Sequence, residues 1–184
     1  MTPNTRSHGY GTASNGLSVA VNAGCAWAAS TTNSWITLVT GATGTGNGTV
    51  GYLVAANPSG LPRTGAVVVD DEVLALTQDG APCVSYELSP DSRTHGHGAA
   101  TNTVDLATLA DCPWNVVNTN SWVTLRSPTS GTSNATVTYS VAANGTVNDR
   151  TGVIVIGGQP FSLDRKSTRL NSSHERLSRM PSSA

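Results

Sequence analysis

The stretch ADCPWNVVNTNSWVTL, residues 110–125, closely repeats an earlier stretch of the same chain, AGCAWAASTTNSWITL, residues 23–38. The likeness extends outward, because a shift of 87 positions aligns residues 2–76 with residues 89–163 without a gap. Identical pairs include Cys25/Cys112, Trp27/Trp114, Trp35/Trp122, Asn47/Asn134, Tyr52/Tyr139, Asn57/Asn144 and the triplets at 63–65 and 150–152. Such an internal repeat predicts one structural unit used twice.

Each copy of the repeat indicates what the other should contain. The second copy is preceded by Cys83 and its neighbours, and the same place in the first copy lies before Met1. The first copy is therefore expected to lack its opening strand. Leu76 continues into TQDG, whereas its partner Leu163 continues into DRKS. The second copy is therefore expected to lack the end of its closing strand.

Composition and patterning predict an all-β chain. Charged residues make up only 11% of the sequence, and short runs of alternating apolar and polar residues are separated by Gly, Asn, Thr and Pro turns. The clearest run is TVTYSV at 136–141, with its counterpart at 49–54. About seven short strands per copy favour two tandem immunoglobulin-like β-sandwiches, at residues 1–80 and 81–163.

The last 21 residues have a different composition. Residues 1–163 contain five arginines and nine acidic residues, whereas residues 164–184 contain five of the ten basic residues and the only lysine. The sequence DRKSTRLNSSH, and SRMPSSA after it, resembles the translation of a widely used sequencing-library adapter. Residues 164–184 are therefore predicted to be a non-native, disordered tail and are excluded from the fold prediction. Taken as native, such a basic tail would suggest nucleic-acid or membrane contact.

The repeat indicates which of the three cysteines form a pair. Cys112 follows Cys83 by 29 residues, and Cys25 is the first-copy counterpart of Cys112. We predict a Cys83–Cys112 disulfide, an unpaired Cys25 and hence an extracytoplasmic location, secreted or at the cell surface. Reduced, buried thiols that act as small apolar side chains remain an alternative.

The repeated motifs resemble the BACON family, the Bacteroidetes-associated carbohydrate-binding often N-terminal domains. The motifs are Cys-x-Trp, Asn-Ser-Trp-[Ile/Val]-Thr-Leu, a Gly/Asn/Thr loop, Thr-Val-x-Tyr-x-Val-Ala-Ala-Asn and Arg-Thr-Gly, with a closing Thr-Gln in the first copy. The resemblance implies non-catalytic immunoglobulin-like sandwiches, found in secreted or surface multidomain proteins beside glycan-processing or peptide-cleaving enzymes.

The aromatic residues of the repeat could form either a core or a sugar-stacking platform. Each occupies the same place in both copies, and a Trp packed beside an intersheet cystine is a feature of immunoglobulin-like cores. We therefore predict that the following residues are structural core: Trp27, Trp35, Tyr52, Trp114, Trp122 and Tyr139.

No catalytic or metal-binding residues are predicted. The sequence lacks GxSxG, HExxH and a phosphate loop, so an enzyme is not expected, and neither is a cofactor. His95-Gly96-His97 could chelate a metal, but the first copy has His8-Gly9-Tyr10 there, and no third ligand is evident.

The predicted function is that of a spacer that presents other domains of a parent chain, with weak carbohydrate binding through loops. Expected partners are those other domains and a polysaccharide; nucleic-acid binding and membrane insertion are not expected. One alternative is a dedicated carbohydrate-binding module with its site at 43–47, 130–134 or 144–149. Another is an adhesin or phage-tail module that binds proteins and would show an exposed apolar patch.

Overall fold

The computed structural model describes residues 1–168. Within them, all regular secondary structure consists of β-strands. By their contacts the residues form two compact units. The first contains residues 1–85 and 108–112, and the second contains residues 86–107 and the chain from residue 113 onward. No helix that could cross a membrane occurs in the described part of the chain.

The first unit contains eight strands in two sheets. In chain order they are β1 Thr5–His8, β2 Ala13–Val19, β3 Ala26–Ser30, β4 Ile36–Thr40, β5 Thr43–Thr45, β6 Gly48–Val54, β7 Arg63–Val69 and β8 Glu72–Gln78. One sheet has the order β1-β8-β7-β3-β5, and the other has the order β2-β6-β4. Strands β1 and β8 pair in parallel, with His8 opposite Gln78.

The second unit repeats this arrangement with one strand more. Its strands are β9 Tyr86–Ser89, β10 Ser92–His95, β11 Ala100–Thr108, β12 Pro113–Asn118, β13 Val123–Leu125, β14 Ser130–Thr132, β15 Ala135–Val141, β16 Arg150–Ile156 and β17 Gln159–Arg165. The sheets have the orders β10-β17-β16-β12-β14 and β13-β15-β11-β9. The extra strand, β9, lies beside β11, and within residues 1–168 no strand takes that place beside β2.

The alternating sequence pattern produces the cores. In β6, Val50, Tyr52 and Val54 are buried while the residues between them are partly exposed, because successive side chains of a strand point to opposite faces. The buried cluster of the first unit takes members from both of its sheets: Leu17, Val19, Trp27, Ile36, Val50, Tyr52, Val54, Val67, Val69, Leu74 and Leu76. The second unit has an equivalent cluster. Each unit is thus an immunoglobulin-like β-sandwich, as the sequence predicts.

The closing strand of the second unit continues beyond the repeat. Strand β17 runs to Arg165 and pairs with β16 along its whole length, with Asp164 opposite Thr151 and Arg165 opposite Arg150. The predicted disorder from residue 164 is therefore wrong for residues 164–168. Backbone groups of any sequence can complete a ladder, and these two residues take the places of Thr77 and Gln78. The rest of the predicted tail lies outside the described residues.

Candidate functional site

The disulfide is formed as predicted. Cys83 and Cys112 are bonded, with their Cα atoms 5.4 Å apart. Gly60 packs against the disulfide, since a Cβ atom at that position would lie 2.6 Å from the Cys83 sulfur. Cys25 is a free, exposed cysteine. The bond therefore belongs to one copy of the repeat only.

The first Trp of each copy is held by its indole nitrogen. Trp27 Nε1 donates to the Gly46 carbonyl at 2.8 Å, and Trp114 Nε1 donates to the Ser133 carbonyl at 2.9 Å. The ring of Trp27 fills the space above Gly44, where a Cβ atom would lie 2.3 Å from the ring. Trp27 is 5% exposed, whereas Trp114 is partly buried. Both indole nitrogens therefore have hydrogen-bond acceptors within their own copy of the repeat.

The second Trp of each copy explains the Arg-Thr-Gly motif. The Arg63 guanidinium lies 4.4 Å from the centroid of the Trp35 ring, and the Arg150 guanidinium lies 4.7 Å from that of Trp122. A Cβ atom on Gly65 would lie 2.7 Å from the Trp35 ring. The motif therefore supplies a cation over the indole and, two residues later, a position without a side chain. Both rings are partly buried against their cores.

A buried histidine and tyrosine pair recurs in both units. His8 Nε2 lies 3.1 Å from the Tyr52 hydroxyl, and His95 Nε2 lies 3.1 Å from the Tyr139 hydroxyl. In each pair the rings meet edge to face with centroids 5.8 Å apart. Neither pair is predicted above from the sequence. The signal was the identity of His8 and His95 across the repeat, which indicates a structural position.

Burial governs the protonation of these pairs. It lowers the pKa of His8, and the nearby Arg6 charge lowers it further. For His95, burial is again the main cause of the lowered pKa, followed by the charges of Arg165 and Arg93. Burial also raises the pKa of both tyrosines, although the arginines oppose this effect. The pairs are therefore neutral at pH 7, with the hydroxyl satisfied inside the core.

The His95-Gly96-His97 segment does not bring its two histidines together. His95 is buried against Tyr139, whereas His97 is exposed. Within residues 1–168, no group of three or more His, Cys, Asp or Glu side chains is placed to hold a metal. The inward position of His95 is explained by its packing against Tyr139.

The loops considered for sugar binding are largely occupied by internal contacts. Residues 43–45 form strand β5, which pairs with β3 across Trp27, and β14 pairs with β12 in the same way. In the third loop, Asn144 is buried, and its amide donates to the carbonyls of Asn148 and Lys166. Asp149 binds the Lys166 ammonium at 3.3 Å and accepts a hydrogen bond from the Ser167 backbone at 2.7 Å. These contacts bury the Asn144 side chain, whereas the Asp149 carboxylate is engaged by Lys166 and Ser167 at the surface.

A shallow cleft lies on the second unit between strands β9, β11 and β15. Its polar lining includes Glu87, Asp105, Asn134 and Thr136. The Thr136 hydroxyl donates to the Asp105 carboxylate at 2.7 Å. The first unit has Ser18 in place of Asp105, so its equivalent surface lacks that carboxylate.

Comparison with protein families identifies the chain. The BACON family model, described as "Putative binding domain, N-terminal", matches residues 26–79 and 113–160. The two matched regions together cover more than half of the chain and fall one in each copy of the repeat. The chain therefore belongs to the BACON family, as a tandem of two such domains. A comparison with curated proteins finds no match.

Several solved structures match this chain at low identity. A Bacteroides ovatus GH5 xyloglucanase in complex with a XXXG heptasaccharide matches at 18% identity and a TM-score of 0.41, over 45% of this chain and 19% of that one. The chain thus spans about a fifth of the length of that enzyme. The I9-I11 tandem from titin matches at 8% identity and a TM-score of 0.30, over 87% of this chain and 61% of that one. The D0-D1 domain of intimin matches at 12% identity and a TM-score of 0.28, over 89% of this chain and 91% of that one.

Proposed function

We propose that this chain is a non-catalytic, extracytoplasmic module whose two sandwiches, residues 1–80 and 81–163, space and present other domains of a longer protein. The observation that carries this proposal is that the repeated tryptophans and tyrosines make their polar and cation contacts with groups of their own unit. Trp27 and Trp114 donate to backbone carbonyls, Trp35 and Trp122 lie under arginines, and the tyrosines pair with histidines. A glycan platform needs an aromatic face left open to solvent.

Two further observations support the proposal. A disulfide is favoured by an oxidising compartment, which is consistent with a secreted or surface protein. The family to which the chain belongs is described as "Putative binding domain, N-terminal", a description that names no catalytic activity. The spacer role therefore depends on the stability of the two folded units and not on a catalysed reaction.

The proposal is tested by screening the whole chain against a polysaccharide array, followed by calorimetry on any glycan that is retained. A spacer should bind no polysaccharide with a Kd below about 1 mM, which corresponds to about −4 kcal/mol. Binding at micromolar Kd to a defined glycan would replace the spacer role with that of a carbohydrate-binding module.

The cleft of the second unit favours one alternative, a carbohydrate-binding module that works by hydrogen bonding. Carboxylates such as Glu87 and Asp105 are acceptors for the hydroxyl groups of a sugar. If a glycan binds there, the Glu87→Gln and Asp105→Asn substitutions should weaken it by about tenfold or more, equivalent to ~1.4 kcal/mol. Asp71→Asn, an exposed substitution in the turn of the first unit, is the matched control. Equal loss in the control would place the site elsewhere.

A further inference from the structure

Asparagine is followed by glycine at three places in the chain, residues 15–16, 47–48 and 144–145. Glycine has no side chain to hinder its backbone nitrogen from approaching the side-chain amide of the preceding asparagine. An Asn-Gly sequence can therefore rearrange to a cyclic imide with loss of ammonia, provided that the fold holds the two groups together and leaves them free to react. The three sequences differ in this respect, because each lies in a different local structure.

The backbone N–H of Gly16 is directed at the side chain of Asn15. Ser18 exchanges two backbone hydrogen bonds with Thr2, on the side of β2 that faces away from β6. Backbone groups alternate in direction along a strand, so Gly16, two residues earlier, also directs its N–H away from β6, although it lies opposite Gly51. This N–H donates to Asn15 Oδ1 at 3.2 Å. The nitrogen therefore lies beside the side-chain amide that it would attack.

Arg6 binds the same side-chain oxygen from the other sheet of the first unit. Its guanidinium donates to Asn15 Oδ1, and Asn15 is exposed to water. A charged donor on a carbonyl oxygen stabilises the oxyanion that forms when a nucleophile adds to the carbon. The second unit repeats this contact, since Arg93 Nη1 donates to Asn102 Oδ1 at 3.0 Å. There, however, the next residue is Thr103 and not glycine.

We propose that Asn15 and Gly16 form a self-modification site at which the Asn15 side chain is converted to a carboxylate. Hydroxide removes the Gly16 amide proton, and the nitrogen attacks Asn15 Cγ while Arg6 stabilises the charge on Oδ1. The bond from Cγ to Nδ2 then breaks, and Nδ2 takes up a proton from water and leaves as ammonia.

Water opens the cyclic imide in one of two ways. Attack at Cγ breaks its bond to the Gly16 nitrogen and gives aspartate, whereas attack at the Asn15 backbone carbonyl gives isoaspartate. The net reaction consumes one water and releases one ammonia, with no change of oxidation state. The aspartate product forms an ion pair with Arg6. The isoaspartate product adds one carbon to the backbone of β2 and interrupts its pairing with β6 at Tyr52.

Neither of the other two Asn-Gly sequences combines these features within residues 1–168. Gly48 lies opposite Val19, one position from Ser18 in the ladder, so its N–H points toward β2 and is bonded there. The oxygen of the preceding asparagine, Asn47, accepts the Val21 N–H at 3.1 Å. In the third sequence, the asparagine at position 144 is buried, and its Nδ2 donates to two backbone carbonyls at 2.9 and 3.1 Å. The nucleophile is thus occupied in one case and the leaving group in the other.

The test incubates the whole chain at pH 8 and follows the three asparagines by peptide mapping, which detects the change from amide to acid by mass and separates aspartate from isoaspartate. In the folded chain, Asn15 should convert at least about tenfold faster than Asn47 or Asn144, because only its reacting groups are held together. In urea, where no fold positions them, the three rates should agree within about threefold.

Four variants separate positioning from simple exposure. Arg6→Gln should slow the conversion of Asn15 by at least about threefold, and Arg6→Lys should restore part of the rate. Gly16→Thr, which copies the second unit, should abolish it. Thr103→Gly should make Asn102 begin to convert, because that asparagine already binds Arg93. Arg126→Gln, an exposed change in the second unit, is the matched control and should leave the rate at Asn15 unchanged.

Two results would overturn the proposal. One is a rate at Asn15 no faster than that at Asn47 in the folded chain. The other is an unchanged or increased rate in Arg6→Gln, which would mean that the arginine contact does not assist the reaction. Circular dichroism checks that each variant is folded. If a change in the first unit unfolds it, Thr103→Gly decides the question in the second unit: conversion of Asn102 supports the proposal, and its absence contradicts it.

Discussion

Gln78 and Arg165 occupy equivalent positions in the closing strands β8 and β17, but only Gln78 can accept a hydrogen bond from the arginine across the ladder. Arg63 Nε donates to Gln78 Oε1 at 2.8 Å. In the second unit Arg150 lies opposite Arg165, and Arg150 Nε is buried without a hydrogen-bond partner. Arg165 is itself fully buried and donates to the Gly96, His97, Gly98 and Ala142 carbonyls. Two guanidinium groups thus meet where the first unit pairs a donor with an acceptor.

Replacing Arg165 with Gln should stabilise the second unit. Gln78 Nε2 already donates to the Tyr10, Gly11 and Ala55 carbonyls, which are the counterparts of three carbonyls bound by Arg165. The substitution adds an acceptor for Arg150 Nε and removes a buried charge whose pKa is lowered by burial and by the Arg150 charge. We expect the free energy of unfolding to rise by about 1 to 3 kcal/mol in urea denaturation. The mirror substitution Gln78→Arg should destabilise the first unit, and a loss of stability in Arg165→Gln would contradict the explanation.

The buried histidines should make stability depend on pH. Because the folded-state pKa of His8 and His95 lies below the unfolded value near 6.5, the unfolded chain binds more protons as the pH falls through and below 6.5. The free energy of unfolding is therefore retained above that pH and lost below it, by at most about 1.4 kcal/mol per pH unit for each histidine. Urea unfolding at pH 7.5 and pH 5 should show this difference.

The matched variants for the pH effect are His8→Gln with His95→Gln, against the exposed His97→Gln. Glutamine keeps a hydrogen-bonding group near each tyrosine hydroxyl but does not titrate. The double variant should lose most of the pH dependence between 5 and 7.5, whereas the His97 variant should keep it. An unchanged slope in the double variant would mean that other groups cause the effect.

Gly48 should control how deeply the first Trp sits. A Cβ atom at Gly48 would lie 2.5 Å from the Trp27 ring, and the second copy has Ala135 in that position beside a less buried Trp114. Gly48→Ala should therefore push Trp27 outward and destabilise the first unit by about 1 to 3 kcal/mol. Fluorine NMR of the fluorotryptophan-labelled chain reports each ring separately. The reverse change, Ala135→Gly, should move the Trp114 signal toward that of Trp27; no movement in either variant would rule out this steric control.

Removing the disulfide should destabilise the fold that contains it. The bond closes a loop with a sequence separation of 29 residues. In the chain-entropy model such a loop contributes about 3 to 4 kcal/mol. The Cys83→Ala/Cys112→Ala double variant should lose this amount in urea unfolding, while Cys25→Ala, which removes a free and exposed thiol, should change little. A loss below about 1 kcal/mol would indicate that the loop is already ordered in the unfolded chain.

Much of the fold could be predicted because each sequence pattern occurs in both copies of the repeat, so a prediction for one copy can be compared with the other. Alternation in β6 and β15 predicts the same buried positions in both copies, and the pairing of Cys83 with Cys112 follows from which cysteine has a counterpart. The histidine and tyrosine pairs were not predicted, because 44 residues separate the two partners in the sequence. The positions of the histidines depend on the parallel pairing of β1 with β8 and of β10 with β17.

The amino-acid sequence by itself determined the tandem of two β-sandwiches, the cystine and the membership of the BACON family, because these depend on local alternation and on residues repeated at a constant shift. Only the tertiary structure decided where residues 164–168 belong, which groups surround each Trp, and that Arg150 faces Arg165. Those outcomes depend on which strands become neighbours, and hydrogen bonds between distant strands leave no periodic trace in the sequence.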